Sequence, residues 1–232
     1  MSQPYDINAF DNPLFTVDNV LFTIKEKRLM ILMVKRANDP YKGRWGLPGG
    51  FVDTQLDDSI EMTALRKLKE KTNISVPYLE QLEVFSGLNR DPRGFSVTAV
   101  FYALTSHQSV SSYLETIADV QWIDIQELNS LPVAFDHKLI IKTARDRLEQ
   151  KALYSMVPVY CLPELFTIGQ LKSVIEIIIG KTIQRKSLIR RIEASNMFET
   201  IDQKIKSGGR LAQVYQLKEN VEIAHFERNF SN

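Results

Sequence analysis

The stretch from Trp45 to Asp53 limits the possible fold of this chain more than any other. It reads Trp-Gly-Leu-Pro-Gly-Gly-Phe-Val-Asp. Proline lacks an amide N–H, and each glycine costs a helix about 1 kcal/mol, so Gly46, Pro48, Gly49 and Gly50 rule out helix here. The segment reads as a loop feeding an extended strand. Before it, residues 14–24 and 28–35 are rich in β-branched, aromatic and aliphatic side chains, and Lys25, Glu26 and Lys27 form a polar turn between them, which together read as a β-hairpin. After it, residues 57–72 carry Ile60, Ala64, Leu65 and Leu68 on one helical face, with Asp57, Asp58 and Ser59 as candidate caps at the start. The predicted order is therefore hairpin, glycine-rich loop, helix.

Further strands are expected near 80–87, 95–104 and 119–123, a short helix at 124–130 and a longer one at 135–151. Pro158 and Pro163 then bracket a stretch that resists helix, and the pattern changes beyond it. Thr167 is placed to cap a helix through Ile179, with Leu171, Val174, Ile175 and Ile178 on one face and Gly180 closing it. A second helix is expected at 184–195. Met197–Ile201 and Leu211–Leu217, joined through Ser207, Gly208 and Gly209, read as a hairpin. Helix, turn, helix and hairpin in about 50 residues is the order of a winged helix. The chain divides on this reading into 1–152 and 153–232.

The net charge of +1 hides an asymmetry. Residues 151–232 hold 12 Lys/Arg against 8 Asp/Glu, and within 181–210 the count is 8 against 3. The remaining residues are net acidic. A basic half beside an acidic half points to a polyanionic partner, or to a solvated basic face. Cys161 is the single cysteine, which excludes an intrachain disulfide and a multi-cysteine zinc site. No apolar run approaches the ~20 residues that span a bilayer, and the N-terminus lacks the pattern of a secretory signal, so a cytoplasmic location without membrane partners is expected.

In a winged helix the second helix enters the major groove of DNA. Here that helix begins Gln184-Arg185-Lys186-Ser187. Gln184, Arg185 and Lys186 are candidates for base edges, and Arg190 and Arg191 for phosphates. Lys204, Lys206 and Arg210 flank Gly208-Gly209 as a wing suited to a minor groove.

The segment Leu47-Pro48-Gly49-Gly50-Phe51-Val52-Asp53, with Arg66 and Glu70 on the helix after it, resembles the Nudix box. That motif runs from a Gly through a Glu to Arg-Glu-aliphatic-any-Glu-Glu-any-Gly. The resemblance implies a loop and helix that hold Mg²⁺ and cleave a nucleoside diphosphate linked to another group. Mg²⁺ takes oxygen ligands, and glutamates at these spacings share a helical face on which metal ions stabilise a transferring phosphoryl group. This chain departs from the pattern. Arg66 is followed by Lys67 where the motif has Glu, Glu70 is followed by Lys71 where it has a second Glu, and Asn73 stands at the final Gly. The early Glu is best matched by Asp58, with two residues inserted after Gly50. Protonated lysines cannot ligate a cation and repel it. The expectation is therefore no catalytic residues, no metal site and no required cofactor, with binding retained. Gly49 and Gly50 would let a phosphate approach the backbone. Arg36, Arg90 and Arg93 are read as a clamp for a pyrophosphate or as solvated surface charges, and Lys67 and Lys71 as able to neutralise phosphate charge in place of metal. Tyr41, Trp45 and Phe51 are read as stacking on a base or as core side chains. Asp136 and His137 begin a helix, and each is read as a cap or structural group or as a ligand contact.

Taken in order, Trp45–Asp53, Arg66–Thr72, Arg90-Asp91-Pro92-Arg93-Gly94, Ala134-Phe135-Asp136-His137, Leu162–Thr167 and Gly208-Gly209-Arg210 are similar to the Nudix-related transcriptional regulators of NAD metabolism. The resemblance implies an α+β chain, a Nudix α/β/α sandwich with a mixed sheet followed by a winged helix-turn-helix. It also implies a homodimer on double-stranded operator DNA, acting as a repressor, with ADP-ribose as its nucleotide-sugar effector. The family's wing has Pro after Gly-Arg, and here Leu211 follows Arg210. Three other readings stay open: an active hydrolase of ADP-ribose or a related nucleoside diphosphate, a regulator of sugar-use genes that senses a sugar, and a protein-interaction module.

Overall fold

The computed structural model describes residue 6 and residues 11–110, 114–207 and 210–227. Its elements follow the chain as β1 (Leu14–Lys25), β2 (Arg28–Arg36), β3 (Trp45–Gly46), β4 (Gly49–Phe51), α1 (Ile60–Thr72), β5 (Tyr78–Gly87), β6 (Ser96–Leu104) and β7 (Ile117–Asp124). A 3₁₀ turn (Ile125–Ser130), α2 (His137–Tyr154) and a second 3₁₀ turn (Val157–Cys161) come next. They are followed by α3 (Ile168–Ile179), α4 (Arg185–Ser195), β8 (Phe198–Ser207) and β9 (Arg210–Leu217).

β1 and β2 form the expected hairpin, with Lys25 opposite Arg28. Glu26 and Lys27 both take positive φ, which matches the twist of a two-residue turn to the strands it joins. Beyond Phe22 and Ile31 the two strands part. The Trp45–Phe51 segment fills the fork: β3 pairs with β2 at Val34, and β4 pairs with β1 at Thr16, Val17 and Asp18. Pro48 stands between these two short strands, and its carbonyl accepts from the Asn19 amide at 2.9 Å. The glycine- and proline-rich run is thus a double strand inserted into a split sheet. β6 lies parallel to β1, β5 antiparallel to β6, and β7 along β2, giving a mixed sheet.

Alternation along β1 assigns each face. Val17 and Leu21 turn to α1, where Ala64 and Leu68 meet them together with Ala99, Phe101 and Ala103. Val20 and Phe22 turn to α2, where Ile140, Ile141, Ala144 and Leu148 wait. This is an α/β/α sandwich. Two details of α1 differ from expectation. It starts at Ile60 with Ser59 as its cap, because Asp57 is used elsewhere, and Leu65 faces outward. Asn73 ends α1 at φ 58°, the left-handed conformation that the motif's glycine would supply and that asparagine tolerates.

α3 begins with a reciprocal capping box, Thr167 to the Gln170 amide and the Gln170 side chain to the Thr167 amide, and ends on Gly180 at φ +65°. Thr167→Ala removes half of that box. An expected loss of about 1 kcal/mol lowers the melting temperature by about 2–4 °C in a chain of this size, read by circular dichroism. The β8–β9 hairpin is longer than its residue types suggest, continuing through the polar Lys204 and Lys206 opposite Gln213 and Leu211. A further segment went unpredicted: residues 221–227 return to α2, with the Phe226 amide donating to the Tyr154 carbonyl at 2.6 Å. The apolar core is continuous across both halves. One cluster takes in Phe22 and Tyr102 of the sheet, Leu148 of α2, Val157 and Phe166 of the linker, Leu171 and Ile175 of α3 and Leu188 of α4. Cys161 lies inside it, and burial pushes its thiol up to about 12.

Candidate functional site

A cavity of about 340 Å³ opens where β4, α1 and the loop before α2 meet. It is lined by Thr16, Asp18, Arg36, Asn38, Leu47, Gly49, Gly50, Phe51, Lys67, Lys71, Arg90, Asp91, Arg93, Thr116, Phe135 and His137. Of the predicted ligand contacts, Arg36, Gly49, Gly50, Phe51, Arg90, Arg93 and His137 come together here. Four do not line it. Trp45 is a core side chain, with the Lys35 ammonium 5.8 Å from its ring centre. Asp136 holds Arg90, accepting from Nε and an Nη at 3.0 Å each, and makes no cap hydrogen bond to α2. Arg66 and Glu70 are bound into an ion network below the wall.

That network corrects the match to the motif's early acidic residue. Asp57, and not the exposed Asp58, faces Arg66. Its carboxylate accepts from Arg66 Nε at 2.7 Å, from a second Arg66 nitrogen, and from the Thr63 hydroxyl at 2.8 Å. Arg66 and Thr63 hold the Asp57 carboxyl well below the usual carboxylate range. Glu70 accepts from Arg66 at 2.8 Å through one oxygen and from Lys67 at 3.3 Å through the other.

Gly49 also has a different reason for being glycine. A Cβ there would lie 2.2 Å from the Val17 carbonyl oxygen and 2.4 Å from Asp18 Oδ1, so the residue is fixed by its approach to β1 and not by room for a phosphate. Gly50 does face the cavity, and a Cβ on it would meet only the Lys67 stem, at 3.3 Å.

The sequence reading missed Asp18. It stands on the α2 side of β1 and takes a hydrogen bond from the Thr98 hydroxyl at 2.8 Å. Burial pushes its carboxyl up to about 6 against that bond. A lone carboxylate between Val17 and Val20 in an apolar strand was the available signal. Lys71 faces it across the cavity. Burial lowers the Lys71 ammonium to about 8, and Asp18 is its main attractive charge. His137 is buried, and its pKa falls to about 3, chiefly through desolvation. Its neutral ring accepts the Leu47 amide at Nδ1, 2.9 Å away, leaving Nε2 3.8 Å from Asp18. The histidine ties the inserted loop to α2.

Two aromatics sit under arginines. The Arg36 guanidinium lies 5.0 Å from the centre of Phe135, and Arg93 lies 5.1 Å from that of Phe51. Phe135 holds a φ of 54°, an uncommon backbone state for such a residue, with Tyr41 edge-on at 4.9 Å. Arg93 is also engaged by Asp91. Five cations and two carboxylates line the chamber, which suits a ligand of high negative charge. Among the described residues no group of three or more His, Cys, Asp or Glu is placed to hold a metal ion.

In the C-terminal half, Gln184, Arg185, Lys186 and Arg190 are exposed on α4, Ser187 is half-buried, and Leu188 and Ile192 face the core. Arg191 has a partner that the sequence does not announce. Its guanidinium lies 5.1 Å from the ring centre of Phe226 in the returning tail, and the residue is half-buried. Lys204 and Lys206 are exposed on one face of β8. Arg210 opens β9, while Gly208 and Gly209 lie outside the described residues. No helix among the described residues is long and apolar enough to cross a membrane.

Two domain families match the chain. The NUDIX domain matches residues 14–144, and the NrtR DNA-binding winged helix domain matches residues 158–217. The ADPR responsive transcriptional repressor NtrR of Acinetobacter baylyi is 37% identical over 212 residues, covering 91% of this chain and 85% of that protein. The crystal structure of Shewanella oneidensis NrtR with a 27mer DNA superposes with a TM-score of 0.86 at 44% identity, covering 94% of this chain and all of that one. The Nudix domain of the same Shewanella protein with ADP ribose superposes at 0.60 with 46% identity, over 62% of this chain and 94% of that one. The chain therefore belongs to the NrtR family, a Nudix domain joined to a DNA-binding winged helix.

Proposed function

We propose that this protein is a transcriptional repressor that binds operator DNA through its winged helix, responds to ADP-ribose in the Nudix cavity, and does not hydrolyse that ligand. The observation that carries this reading is the placement of Lys67 and Lys71. Both stand at glutamate positions of the Nudix box, and both line a chamber rich in arginine. The site keeps its attraction for a diphosphate and lacks the carboxylates that would assemble a hydrolytic metal centre. The solved relatives with ADP ribose and with DNA support the two ligands.

The proposed division is an effector unit at 1–152 and a DNA-binding unit at 153–232. Arg36, Lys67, Lys71 and Arg93 meet the phosphates, and Phe51 and Phe135 offer flat surfaces beside them. The working form is a homodimer. Apolar side chains support this: Phe15 and Val84 on the sheet face that α1 covers only in part, and Leu65 on the outer side of α1, are 40%, 53% and 40% exposed, and β5 is an edge strand. A repeated patch of this kind pairs with its own copy across a two-fold axis.

ADP-ribose shifts DNA affinity only to the extent that it prefers one arrangement of the protein over the other. A coupling of about 1–3 kcal/mol corresponds to a roughly 5- to 150-fold weaker grip on DNA. Fluorescence anisotropy with a labelled operator duplex, with and without saturating ADP-ribose, measures it. Equal affinities sink the claim that ADP-ribose is the effector, and release of AMP in the presence of Mg²⁺ sinks the claim that the site is inactive.

A further inference from the structure

Nudix chemistry implies a divalent cation between the helix carboxylates and the substrate phosphates, and the residues of this site do not fit one. Each carboxylate near the expected position is already engaged. Glu70 gives one oxygen to Arg66 and the other to Lys67. Asp57 is closed by Arg66 and Thr63. Asp91 is held by Arg93, and Asp18 by Thr98. The two remaining ligand positions carry ammonium groups, and both of those side chains reach the cavity. A dication placed there would meet two like charges, with Glu70 and Asp57 at the motif's acidic positions already ion-paired and unable to repay its lost water.

We propose that Lys67 and Lys71 take the metal's place, so that the effector is bound as its free, metal-free diphosphate anion. This rests on the reading of the cavity as the effector site and specifies the ionic form it selects. The geometry suits the exchange. Lys67 comes from the same helical face as Glu70, which steadies its ammonium, and its stem runs over Gly50 at the cavity wall. Lys71 lies one turn further along and lines the same cavity as Asp18. Lys67 and Lys71 thus rise from one helical face, one turn apart, and both line the cavity. A fixed ammonium donates hydrogen bonds to phosphate oxygens without being supplied from solution. Mg²⁺ added to such a system acts only on the ligand, by drawing the free anion into a complex that the site binds less well. Sensing is separated from hydrolysis and from the concentration of divalent ions by the same two substitutions.

The test is calorimetric titration of ADP-ribose, and separately of inorganic pyrophosphate, into the full-length protein in EDTA and in Mg²⁺. The expected result is binding in EDTA that Mg²⁺ leaves unchanged or weakens. In K67E/K71E, binding in EDTA should fall on the order of 100-fold, as for the loss of two charge-assisted contacts, and Mg²⁺ should restore part of it. The neutral variant K67Q/K71Q, checked for its circular dichroism and DNA affinity, should lose a similar amount with no rescue by Mg²⁺, which separates charge from misfolding. Wild-type binding that vanishes in EDTA, or tightens about 10-fold or more with Mg²⁺, overturns the proposal. So does a neutral variant that is folded and binds as wild type. Metal-independent binding of pyrophosphate without binding of ADP-ribose supports the role of the lysines while removing ADP-ribose as the effector. Failure of both ligands in EDTA overturns the proposal.

Discussion

Replacing Arg185 and Lys186 together with alanine lowers affinity for operator DNA about 100-fold, since contacts to base edges contribute roughly 1–3 kcal/mol each. Both residues lie in the first turn of α4, exposed, while Leu188 and Ile192 anchor the opposite face in the core. The helix therefore loses its reading surface and keeps its support, so the variant should melt like wild type. Arg190→Ala should weaken binding to all sequences alike and reduce the salt dependence by about one counterion, as expected of a phosphate contact. Arg191→Ala is the internal control. Its guanidinium rests on Phe226, so its loss should appear mainly in stability, through the returning tail, and little in the salt slope. Anisotropy titrations at several salt concentrations separate these outcomes. Equal loss for Arg191→Ala and Arg190→Ala would show that the tail releases Arg191 on DNA.

Gly49→Ala should be the most damaging small substitution in the Nudix half. The added methyl would stand 2.2 Å from the Val17 carbonyl and 2.9 Å from the Asp18 Cα. Neither is a flexible side-chain end. β1 cannot back away, because its other edge is held by β6, with Val17 opposite Ala99. Overpacking of this kind costs about 3 kcal/mol or more, which lowers the melting temperature by about 6–12 °C in a domain of this size. Gly50→Ala, one residue on, meets only the Lys67 stem. It should cost under about 1 kcal/mol and disturb effector binding instead. Thermal melts and calorimetry on the pair distinguish a glycine needed by the fold from one that borders the ligand. Equal melting temperatures would mean that β4 slides off β1 without penalty.

The contrast between these glycines shows how the sequence was legible and where it was not. The hairpin, α1, the helix capped by Thr167 and the basic α4 all followed from periodicity and local chemistry, because each is decided within a few residues. Arg36, Arg90 and Arg93 read in the sequence as cations near a glycine-rich loop, and the fold brings all three to one cavity. What required the fold was any role set by residues far apart in sequence. Trp45 is core because β3 lies beside β2. Asp136 serves Arg90 from 46 residues away. Asp18 joins the cavity only because β1 splits from β2, and Asp57 replaced Asp58 because the loop before α1 turns one residue earlier than motif spacing suggests. Arg191 reads locally as a phosphate contact, and nothing local announces that residues 221–227 fold back to bring Phe226 against it.

The continuous core restricts how a signal is carried from the cavity to α4. Swinging α3 and α4 away from the sheet would expose Val157, Val159, Phe166 and Leu171, each buried to within about two per cent of complete. At roughly 1.5–3 kcal/mol for each large apolar side chain returned to water, that motion exceeds what a coupling of a few kcal/mol supplies. A hinge inside one protomer is therefore the wrong degree of freedom. In the proposed homodimer each protomer would then move as one stiff body, and ADP-ribose would adjust the angle between two such bodies, read out as the distance between their α4 helices along the DNA axis.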